Sequence, residues 1–379
     1  MRFVRLAAAA ALVLALGCSK KSSDTILVGH VASLTGSEAT FGVSTDNGIK
    51  LAFDELNKAG GVKGKKLVLK TLDDQGKPEE AQVAATRLIV NDKVTMLLGE
   101  VASSRSLAMA PVADDHKVPM ISTASTNPKV TLDAQGNTRK YVFRVCFIDP
   151  FQGTVMAKFA RENMKISKVA VLRDVGNAYS VGLADFFEET FKKMGGEIVT
   201  DQSFKAGDQD FKAQLTKIRE TNPEAIYVPA YYTDVGLISR QVRELGMKVP
   251  MMGGDGWDSE ELYKISGGAL DGSFFSNHYT FESPDQRVQD FVNKYKAAYG
   301  KVPDALAALG YDAALVAADA MNRAKDLTGP DIADALAATK DFKAVTGNIS
   351  LNEQHNAVKS AVVIAIQNNA GKYAATVSP

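Results

Sequence analysis

Short apolar runs of strand length alternate along the chain with longer segments whose apolar residues recur every three or four positions. The first pair is "ILVGHVA" followed by "IKLAFDELNKAGG", in which Ile49, Phe53 and Leu56 share one helical face. We expect this helix to stop at Gly60-Gly61, since glycine commonly ends helices. Strands that alternate with helices are typical of parallel sheets covered on both faces.

The same alternation occurs in two series and then gives way to a mixed pattern. The first series predicts strands at residues 26–32, 66–72, 94–100 and 118–122. The second predicts strands at residues 168–174, 197–204, 224–230 and 249–254. The C-terminal part has two longer helical patterns, at Gln286–Tyr299 and at 305–324, and then an apolar strand at 361–366. Together these patterns predict an α/β fold with two lobes.

Composition and the absence of known catalytic motifs argue against several classes of function. The chain has 379 residues, enough for two or three domains, and its 44 basic side chains equal its 44 acidic ones, so net charge favours no nucleic-acid partner. No G-x-S-x-G, H-E-x-x-H or P-loop motif is present, and the four histidines are far apart. We therefore expect no enzyme, no metal and no cofactor.

The N-terminus has the pattern of an export signal. Two arginines precede an unbroken apolar run at residues 6–16, which is too short to span a bilayer of about 30 Å as a helix. The next stretch, "LALGCSK", resembles the lipobox of bacterial lipoproteins, although Ala15 stands where leucine is most common. We predict a signal peptide over residues 1–18 with Cys18 as the lipidated residue, then a linker at 19–24. Plain secretion is the alternative.

Polar and aromatic side chains follow the predicted strands. Ser103 opens the helix after the third strand, Thr126 belongs to the hydroxyl cluster after the fourth, and Tyr179, Tyr231 and Asp255 follow three strands of the second series. Ligands of open parallel sheets bind beyond the carboxyl ends of the strands. Hydroxyls and helix starts suit a carboxylate, an acid suits a cation, and aromatic rings suit an apolar group. A free α-amino acid combines a carboxylate, a cationic ammonium and a side chain that can be apolar. Each of these residues taken alone is more often a helix cap, a turn acid or a packing residue.

Six motifs, in order, resemble the type I periplasmic binding proteins of ABC importers, in the leucine/isoleucine/valine-binding branch. They are "SLTGSEATFG", "NGIKLAFDELNKAGGVKGKKL", "DDQGKPEEA", "MISTASTNP", "FRVCFIDPFQG" and "LNEQHNA", and they extend over nearly the whole chain after the signal. The resemblance implies two Rossmann-like lobes with parallel-rich sheets, joined by a hinge of three crossovers, and a ligand held between the lobes by closure of that hinge.

The resemblance also implies roles for the hydroxyl cluster. Ser103 and Thr126 would bind an α-carboxylate, and the carbonyl of Ala124 with the Thr126 hydroxyl would take the ammonium; Ser125 belongs to the same candidate set. Asp255 stands where the family commonly has a glutamate that pairs with the ammonium. Aspartate is one methylene shorter than glutamate, so the Asp255 carboxylate extends less far toward the ammonium. We expect Asp255 to be exposed in the open cleft and to add little to the stability of the unliganded protein.

Aromatic residues would form the wall around the ligand side chain. The resemblance assigns Tyr179 and Tyr231 to the second lobe's contacts and Phe41 to the side-chain pocket. Arg105, two residues beyond Ser103, has two interpretations. We favour a solvated arginine on the helix surface; the alternative is a residue that biases selection toward acidic or larger ligands.

The resemblance implies crossings between lobes near Arg144, Ser276 and Gly347. Lobe 1 would comprise residues 25–143 and 277–347, and lobe 2 residues 144–276 and 348–379. The implied function is the extracytoplasmic solute-binding component of an ABC importer for an apolar or small neutral L-amino acid, a lipid-anchored monomer whose closed form the permease subunits recognise. The alternatives are a sensor, a binding protein for a carboxylate or amide, and, outside this class, a hydrolase on a similar fold.

We predict that Cys18 becomes the lipidated N-terminus and tethers the protein outside the cytoplasmic membrane. Intact-mass analysis of membrane-extracted protein should show cleavage before Cys18 and the added mass of acyl chains. A mature protein that begins elsewhere, or that carries an unmodified Cys18, would rule the prediction out.

Overall fold

A computed structural model describes residues 24–379, and its first lobe is built on a five-stranded sheet. The strands are β1 (Thr25–Ala32), β2 (Lys66–Asp73), β3 (Met96–Leu98), β4 (Met120–Ser122) and β5 (Val142–Arg144). Their order is β2-β1-β3-β4-β5, and every neighbouring pair is parallel. All five strands therefore present their carboxyl ends at one edge of the sheet.

The second lobe is built on a seven-stranded sheet. Its strands are β6 (Lys168–Asp174), β7 (Glu197–Phe204), β8 (Ala225–Tyr227), β9 (Met251–Gly253), β10 (Phe274–Asn277), β14 (Ala361–Gln367) and β15 (Ala370–Val377). The order is β15-β14-β10-β9-β8-β6-β7, with antiparallel pairing only at β10–β14 and β14–β15. A small antiparallel sheet comprises β11 (Phe342–Ala344), β12 (Gly347–Leu351) and β13 (Ala357–Val358).

Eleven α-helices are present between residues 24 and 379. They are α1 (Ala39–Lys58), α2 (Pro78–Thr86), α3 (Ser103–Asp115), α4 (Asp149–Lys158), α5 (Ala178–Lys193), α6 (Lys212–Glu220), α7 (Tyr232–Glu244), α8 (Glu260–Ser266), α9 (Gln286–Tyr299), α10 (Ala305–Arg323) and α11 (Gly329–Ala337). One π-helical turn extends α2 over Arg87–Asn91, and another extends α4 over Phe159–Asn163. A short 3-10 turn, Asp255–Trp257, follows β9 and bears part of the candidate site.

Helices cover both faces of the first sheet, which explains why β1 has apolar side chains on both of its faces. Along β1, Ile26 and Val28 pack into the cluster that includes α1, whereas Val31 packs into a second cluster with residues of α2 and α3. Successive side chains of a strand point to opposite faces, so both sets must be apolar when both faces are covered.

Close packing of α10 against α1 positions one wall of the cleft between the lobes. Nearly all of α10 is buried, and its many alanines let the two helix backbones approach closely. At Gly48 of α1, a β-carbon would lie 2.0 Å from the carbonyl oxygen of Ala307, so a larger residue would push the helices apart. The N-terminus of α10 is thereby held rigidly in the first lobe.

Buried polar groups join α10 to the segments near residues 145, 345 and 359. Asp312 of α10 accepts hydrogen bonds from the backbone N–H groups of Val345 and Thr346, each at 2.8 Å. The Thr346 hydroxyl contacts the ammonium of Lys359, which also lies 3.5 Å from the Val145 carbonyl. Burial lowers the pKa of Lys359 to about 8, and the Asp312 carboxylate opposes that shift.

The predicted fold class is confirmed: two parallel-rich α/β sheets, each covered by helices, form the architecture. Several strands are shorter than the sequence pattern predicts; the strand expected at 94–100 spans Met96–Leu98. The small sheet and β15 were not predicted. The lobe boundaries stay a prediction, and the signal peptide, Cys18 and nearly all of the linker lie outside the described residues. No helix within 24–379 is long and apolar enough to cross a membrane.

Candidate functional site

The carboxyl ends of strands from both sheets face one narrow gap, and a small cavity of about 10 Å³, room for about one water molecule, lies there in this closed arrangement. Six of the eight residues predicted for the site line it: Phe41, Ser103, Ala124, Tyr179, Tyr231 and Asp255. The first three follow strands of the first sheet, and the last three follow strands of the second. The cavity therefore lies between the lobes.

Three further lining residues were missed in the sequence. Val101 and Gly256 are chain neighbours of predicted residues, so extending each strand-end segment by one or two positions would have included them. Leu306 lies in the first turn of α10, about fifty positions beyond Asp255. An isolated leucine in an apolar helix carries no local signal of a binding site, and only the packing of α10 on α1 brings it there.

Aromatic rings from both lobes form the apolar wall. The rings of Tyr179 and Tyr231 stack at 5.3 Å between centroids with an interplanar angle of 10°, and Phe41 meets Tyr231 edge-on at 5.4 Å. The Tyr179 hydroxyl oxygen accepts a hydrogen bond from the N–H of Gly256 at 3.2 Å. These contacts fix the rings, and an apolar group entering the cavity would meet a preformed surface.

Two of the predicted residues, Ser125 and Thr126, are absent from the cavity wall. The Ser125 hydroxyl oxygen lies 3.0 Å from the carbonyl oxygens of both Glu100 and Val101, so it supports the loop from behind. Thr126 is fully buried; its hydroxyl makes no hydrogen bond, while its carbonyl accepts one from the N–H of Asp149 at 2.9 Å. In contrast, the Ser103 hydroxyl faces the cavity and accepts from the N–H of Asn127 at 3.2 Å.

Asp255 is held by two buried side chains, Gln152 and His278. Its carboxylate accepts a hydrogen bond from Nε2 of Gln152 at 2.7 Å and another from Nε2 of His278 at 2.9 Å. The His278 ring is buried and stacks on Phe147 at 3.7 Å. The expectation of an exposed acid with little effect on folding is therefore revised, because these contacts make Asp255 part of the buried structure.

A second buried carboxyl group, that of Asp149, lies close to Asp255. Neither of the Asp149 carboxyl oxygens accepts a hydrogen bond. Burial raises the pKa of Asp149 to about 8, and the nearby Asp255 charge raises it as well, so the neutral form of Asp149 is favoured. Burial also lowers the pKa of His278. Because burial disfavours the charged form of His278, a ligand ammonium rather than the imidazole would supply the positive charge next to Asp255.

Arg105 is buried, and the interpretation as a solvated surface residue is wrong. Only 4% of it is exposed. Its guanidinium donates to Glu100 at 3.0 Å, to Glu38 at 2.9 Å and to the carbonyl of Gly76 at 3.1 Å, and it lies 4.0 Å from Asp74. The sequence did not predict the burial of Arg105, because its partners Glu38 and Gly76 are distant along the chain and only packing brings them together.

Arg105 and the carboxyl groups around it shift one another's pKa values. Burial alone would lower the pKa of Arg105, but the surrounding carboxylates, Glu100 first, outweigh it and raise the pKa. Burial and the Glu100 charge raise the pKa of Asp74 to about 7, although Arg105 acts in the opposite direction. Arg105 does not line the cavity, so the cluster supports the wall formed by α1 and α3.

Hydrogen bonds across the gap hold the two lobes together. Asn127 donates its amide to the carbonyl of Ala178 at 2.8 Å, and the N–H of Ala178 donates to the Ser104 hydroxyl at 3.0 Å. On the other side of the cavity, the Thr233 hydroxyl donates to the carbonyl of Ser37 at 2.6 Å. The lobes are thus in a closed arrangement, which explains why the cavity is narrow.

Two larger grooves open on the surface next to Tyr279 and Tyr373, but neither contains the strand-end residues. We base the candidate site on the smaller cavity because it unites polar and aromatic side chains from both sheets. In the part of the chain described, no group of three or more metal-ligating side chains lies together. The site thus has the features of a two-lobed protein that encloses a small organic ligand.

Comparison with known proteins identifies the family. A sequence profile described as "Periplasmic binding protein" matches residues 25–372. A leucine-, isoleucine-, valine-, threonine- and alanine-binding protein of Pseudomonas aeruginosa is 30% identical over 333 residues, 88% of this chain and 87% of that protein. The chain belongs to the periplasmic binding protein family.

Solved structures agree with this assignment. A leucine-binding protein of Thermotoga maritima is 42% identical, with a TM-score of 0.89 over 93% of this chain and 99% of its own. The branched-chain amino acid transporter substrate-binding protein of Streptococcus pneumoniae, solved with isoleucine, is 34% identical, with a TM-score of 0.87 over 94% of this chain and all of its own.

Arg105→Ala should destabilise the protein by about 3–5 kcal/mol, because it leaves buried carboxylates without their cation. The loss should grow with pH. A carboxyl whose folded-state pKa is raised keeps its contribution at low pH and loses it as the pH rises through that value, near 7 for Asp74, and removing Arg105 raises it further. Denaturant unfolding of wild type and variant at pH 5 and pH 8 measures this difference.

The matched control is Arg240→Ala, which removes an exposed arginine of α7. Its free energy of unfolding should stay within about 0.5 kcal/mol of wild type at both pH values. Equal effects of the two variants would show that the buried cluster is not stabilised by Arg105.

Proposed function

We propose that the protein is the extracytoplasmic solute-binding component of an ABC importer and binds an apolar or small neutral L-α-amino acid of the branched-chain type. The observation that carries the proposal is the cavity wall: the Ser103 hydroxyl from one lobe, the Asp255 carboxylate from the other, and aromatic rings between them. Hydroxyl and helix-start groups complement the ligand carboxylate, Asp255 complements its ammonium, and the rings complement an apolar side chain.

The start of α3 supports the role of Ser103. Ser103 is the first residue of this helix, and its side chain faces the cavity. Unpaired N–H groups at a helix start favour an anion, and a hydroxyl beside them adds a donor. The relatives from Pseudomonas aeruginosa, Thermotoga maritima and Streptococcus pneumoniae bear names or ligands of the branched-chain amino acid class, which favours the same assignment.

Asp255 argues against a ligand that has a carboxylate but no amine. Its charge lies in the cavity wall, and the buried Asp149 lies behind it. A simple carboxylate placed there would be repelled, and closure of the lobes would strengthen the repulsion by excluding water. An amide would leave the acid without a cationic partner. These alternatives are therefore second to an amino acid.

The proposal includes the location and the partners of the protein. Membership of a periplasmic binding protein family places it outside the cytoplasm; anchoring through Cys18, delivery of the ligand to permease subunits and a monomeric state are parts of the proposal. The proposed hinge comprises the crossings near residues 144, 276 and 347. A sensor would bind the same ligand and differ only in its partner.

We predict that calorimetry and a thermal-shift screen of the twenty amino acids, simple carboxylates and amides will show tight binding of apolar or small neutral L-amino acids. A ligand at about 100 times its Kd should add about 2.7 kcal/mol to stability. Binding of carboxylates or amides with no response to any amino acid would contradict the proposal, and turnover of the bound ligand would point to a hydrolase.

Asp255→Asn and Asp255→Ala should both weaken amino-acid binding. Losing one partner of a desolvated charge pair costs on the order of 2–5 kcal/mol, which is roughly a 30- to several-thousand-fold rise in Kd. Asp255→Ala should also lower the melting temperature of the unliganded protein, because Gln152 and His278 lose their acceptor. Asp255→Asn keeps one oxygen acceptor, so its melting temperature should change less.

Asp174→Asn is the matched control. Asp174 is a buried acid at the carboxyl end of β6 in the same sheet, and it accepts the N–H of Gly176 at 2.9 Å without lining the cavity. Its substitution should change stability and leave the Kd within about threefold. If the Asp255 variants also bind within threefold of wild type, Asp255 does not pair with the ammonium.

A further inference from the structure

Asp258 makes a hydrogen bond across the cleft. It directly follows the 3-10 turn Asp255–Trp257, at the carboxyl end of β9 in the second lobe. One of its carboxylate oxygens accepts the backbone N–H of Ala305 at 2.7 Å. Ala305 is the first residue of α10, which packs on α1 in the first lobe. The bond therefore links the second lobe to the first in this closed arrangement.

This bond connects two walls of the candidate site. On one side, Asp255 and Gly256 line the cavity just before Asp258. On the other, Leu306 lines it just after Ala305. Asp258 itself does not line the cavity; it lines the surface groove next to Tyr279 and Tyr373 instead. It thus fixes the distance between the proposed ammonium partner and the apolar wall of the other lobe.

The Asp258 carboxyl group supplies a hydrogen-bond acceptor for the first N–H of α10, that of Ala305. Asp304 caps the helix from within the first lobe: its side chain accepts the N–H of Ala307 at 2.8 Å and its carbonyl accepts the N–H of Ala308 at 3.2 Å. The N–H of Ala305 is bonded instead by Asp258 of the other lobe. The first N–H groups of a helix have no acceptor within the helix, so closure exchanges water for a carboxyl oxygen of Asp258 at this position.

A neighbouring contact, between Ser259 and Thr40, adds a second link between the two lobes. The hydroxyl oxygen of Ser259 lies 2.9 Å from that of Thr40 in α1, and Thr40 precedes the cavity residue Phe41. Ser259 is buried, so this pair is protected from water. Two consecutive residues of the second lobe, 258 and 259, therefore hold both α10 and α1 of the first.

We propose that Asp258 is a positioning residue for ligand retention: by accepting the N–H of Ala305 across the cleft, it holds the lobes closed around a ligand that it does not touch. This inference rests on the proposed function, since it assumes an amino acid bound by closure. Its loss should act on the dissociation rate of the ligand, because the bond forms after the ligand has entered.

Acidic groups around Asp258 make the junction sensitive to pH. Burial, followed by the charge of Asp304, raises the pKa of Asp258 to about 7, and the pKa of Asp304 is also raised by burial. The titratable and polar groups that act on this pair come from several surrounding segments: Ser44, Asp255, Glu260, Tyr263, Asn277, Tyr279, Tyr295 and Lys301.

The direction of the pH effect follows from the raised pKa. In an open cleft, water restores Asp258 toward its ordinary value, so closure takes up a proton as the pH falls through about 7. Below that value, a proton on the pair removes the repulsion between the two acids. The closed state is then favoured, and release of the ligand should be slower at pH 6 than at pH 8.

The experiment is stopped-flow release of the amino acid identified by calorimetry, at pH 6 and pH 8, from full-length wild type, Asp258→Ala and Asp258→Asn. Asp258→Ala should release the ligand about tenfold faster at pH 6, equivalent to about 1.4 kcal/mol, with an association rate within about twofold of wild type. Asp258→Asn keeps an oxygen acceptor but no charge, so its release rate should be much nearer to wild type and should lose the wild-type difference between the two pH values.

Asp210→Ala is the matched control. Asp210 accepts the N–H of Lys212 at the start of α6 at 2.9 Å, a similar bond that lies within the second lobe alone. Its release rate should equal that of wild type. If wild type binds an amino acid and Asp258→Ala releases it no faster than Asp210→Ala does, or if only the unliganded melting temperature falls, the inference is overturned. If wild type binds no amino acid, the proposed function fails and this inference falls with it.

Discussion

The direction of the strands is the constraint on which the rest of the structure depends. Every strand of the first sheet, and β6 to β10 of the second, run parallel to their neighbours, so each sheet presents a row of carboxyl ends. Because the two rows face one gap, residues that leave the strands at separate points of the chain meet around one cavity. Helix starts follow the same strand ends, which adds unpaired N–H groups to the gap.

Charge near this gap is tolerated because the buried ions have hydrogen-bonded partners. Arg105 is surrounded by carboxylates of the first lobe, and Asp255 is held by Gln152 and His278. Such groups are costly to bury alone. Asp149, which has no such partner, has a raised pKa that favours its neutral form.

The pattern of apolar and polar residues was sufficient to predict most of the fold. Runs of strand length alternating with helical periodicity predicted β1 to β4 and β6 to β9 together with their helices, because a parallel sheet covered on both faces needs apolar strands and amphipathic helices. The small sheet and β15 were missed. These strands are short or largely exposed, so neither periodicity nor hydrophobicity distinguishes them from loops.

The sequence alone determined which strand ends carry polar and aromatic residues, and this pattern predicted the cavity residues Ser103, Tyr179, Tyr231 and Asp255; Phe41 and Ala124 came from the family resemblance. Only the tertiary structure decided how those residues are used. It placed Ser125 behind the wall, brought Leu306 to the cavity, buried Arg105 and gave Asp255 two partners. The physical reason is distance along the chain: local periodicity reports which face of an element is apolar, whereas the partner of a buried charge comes from another segment and is set by packing.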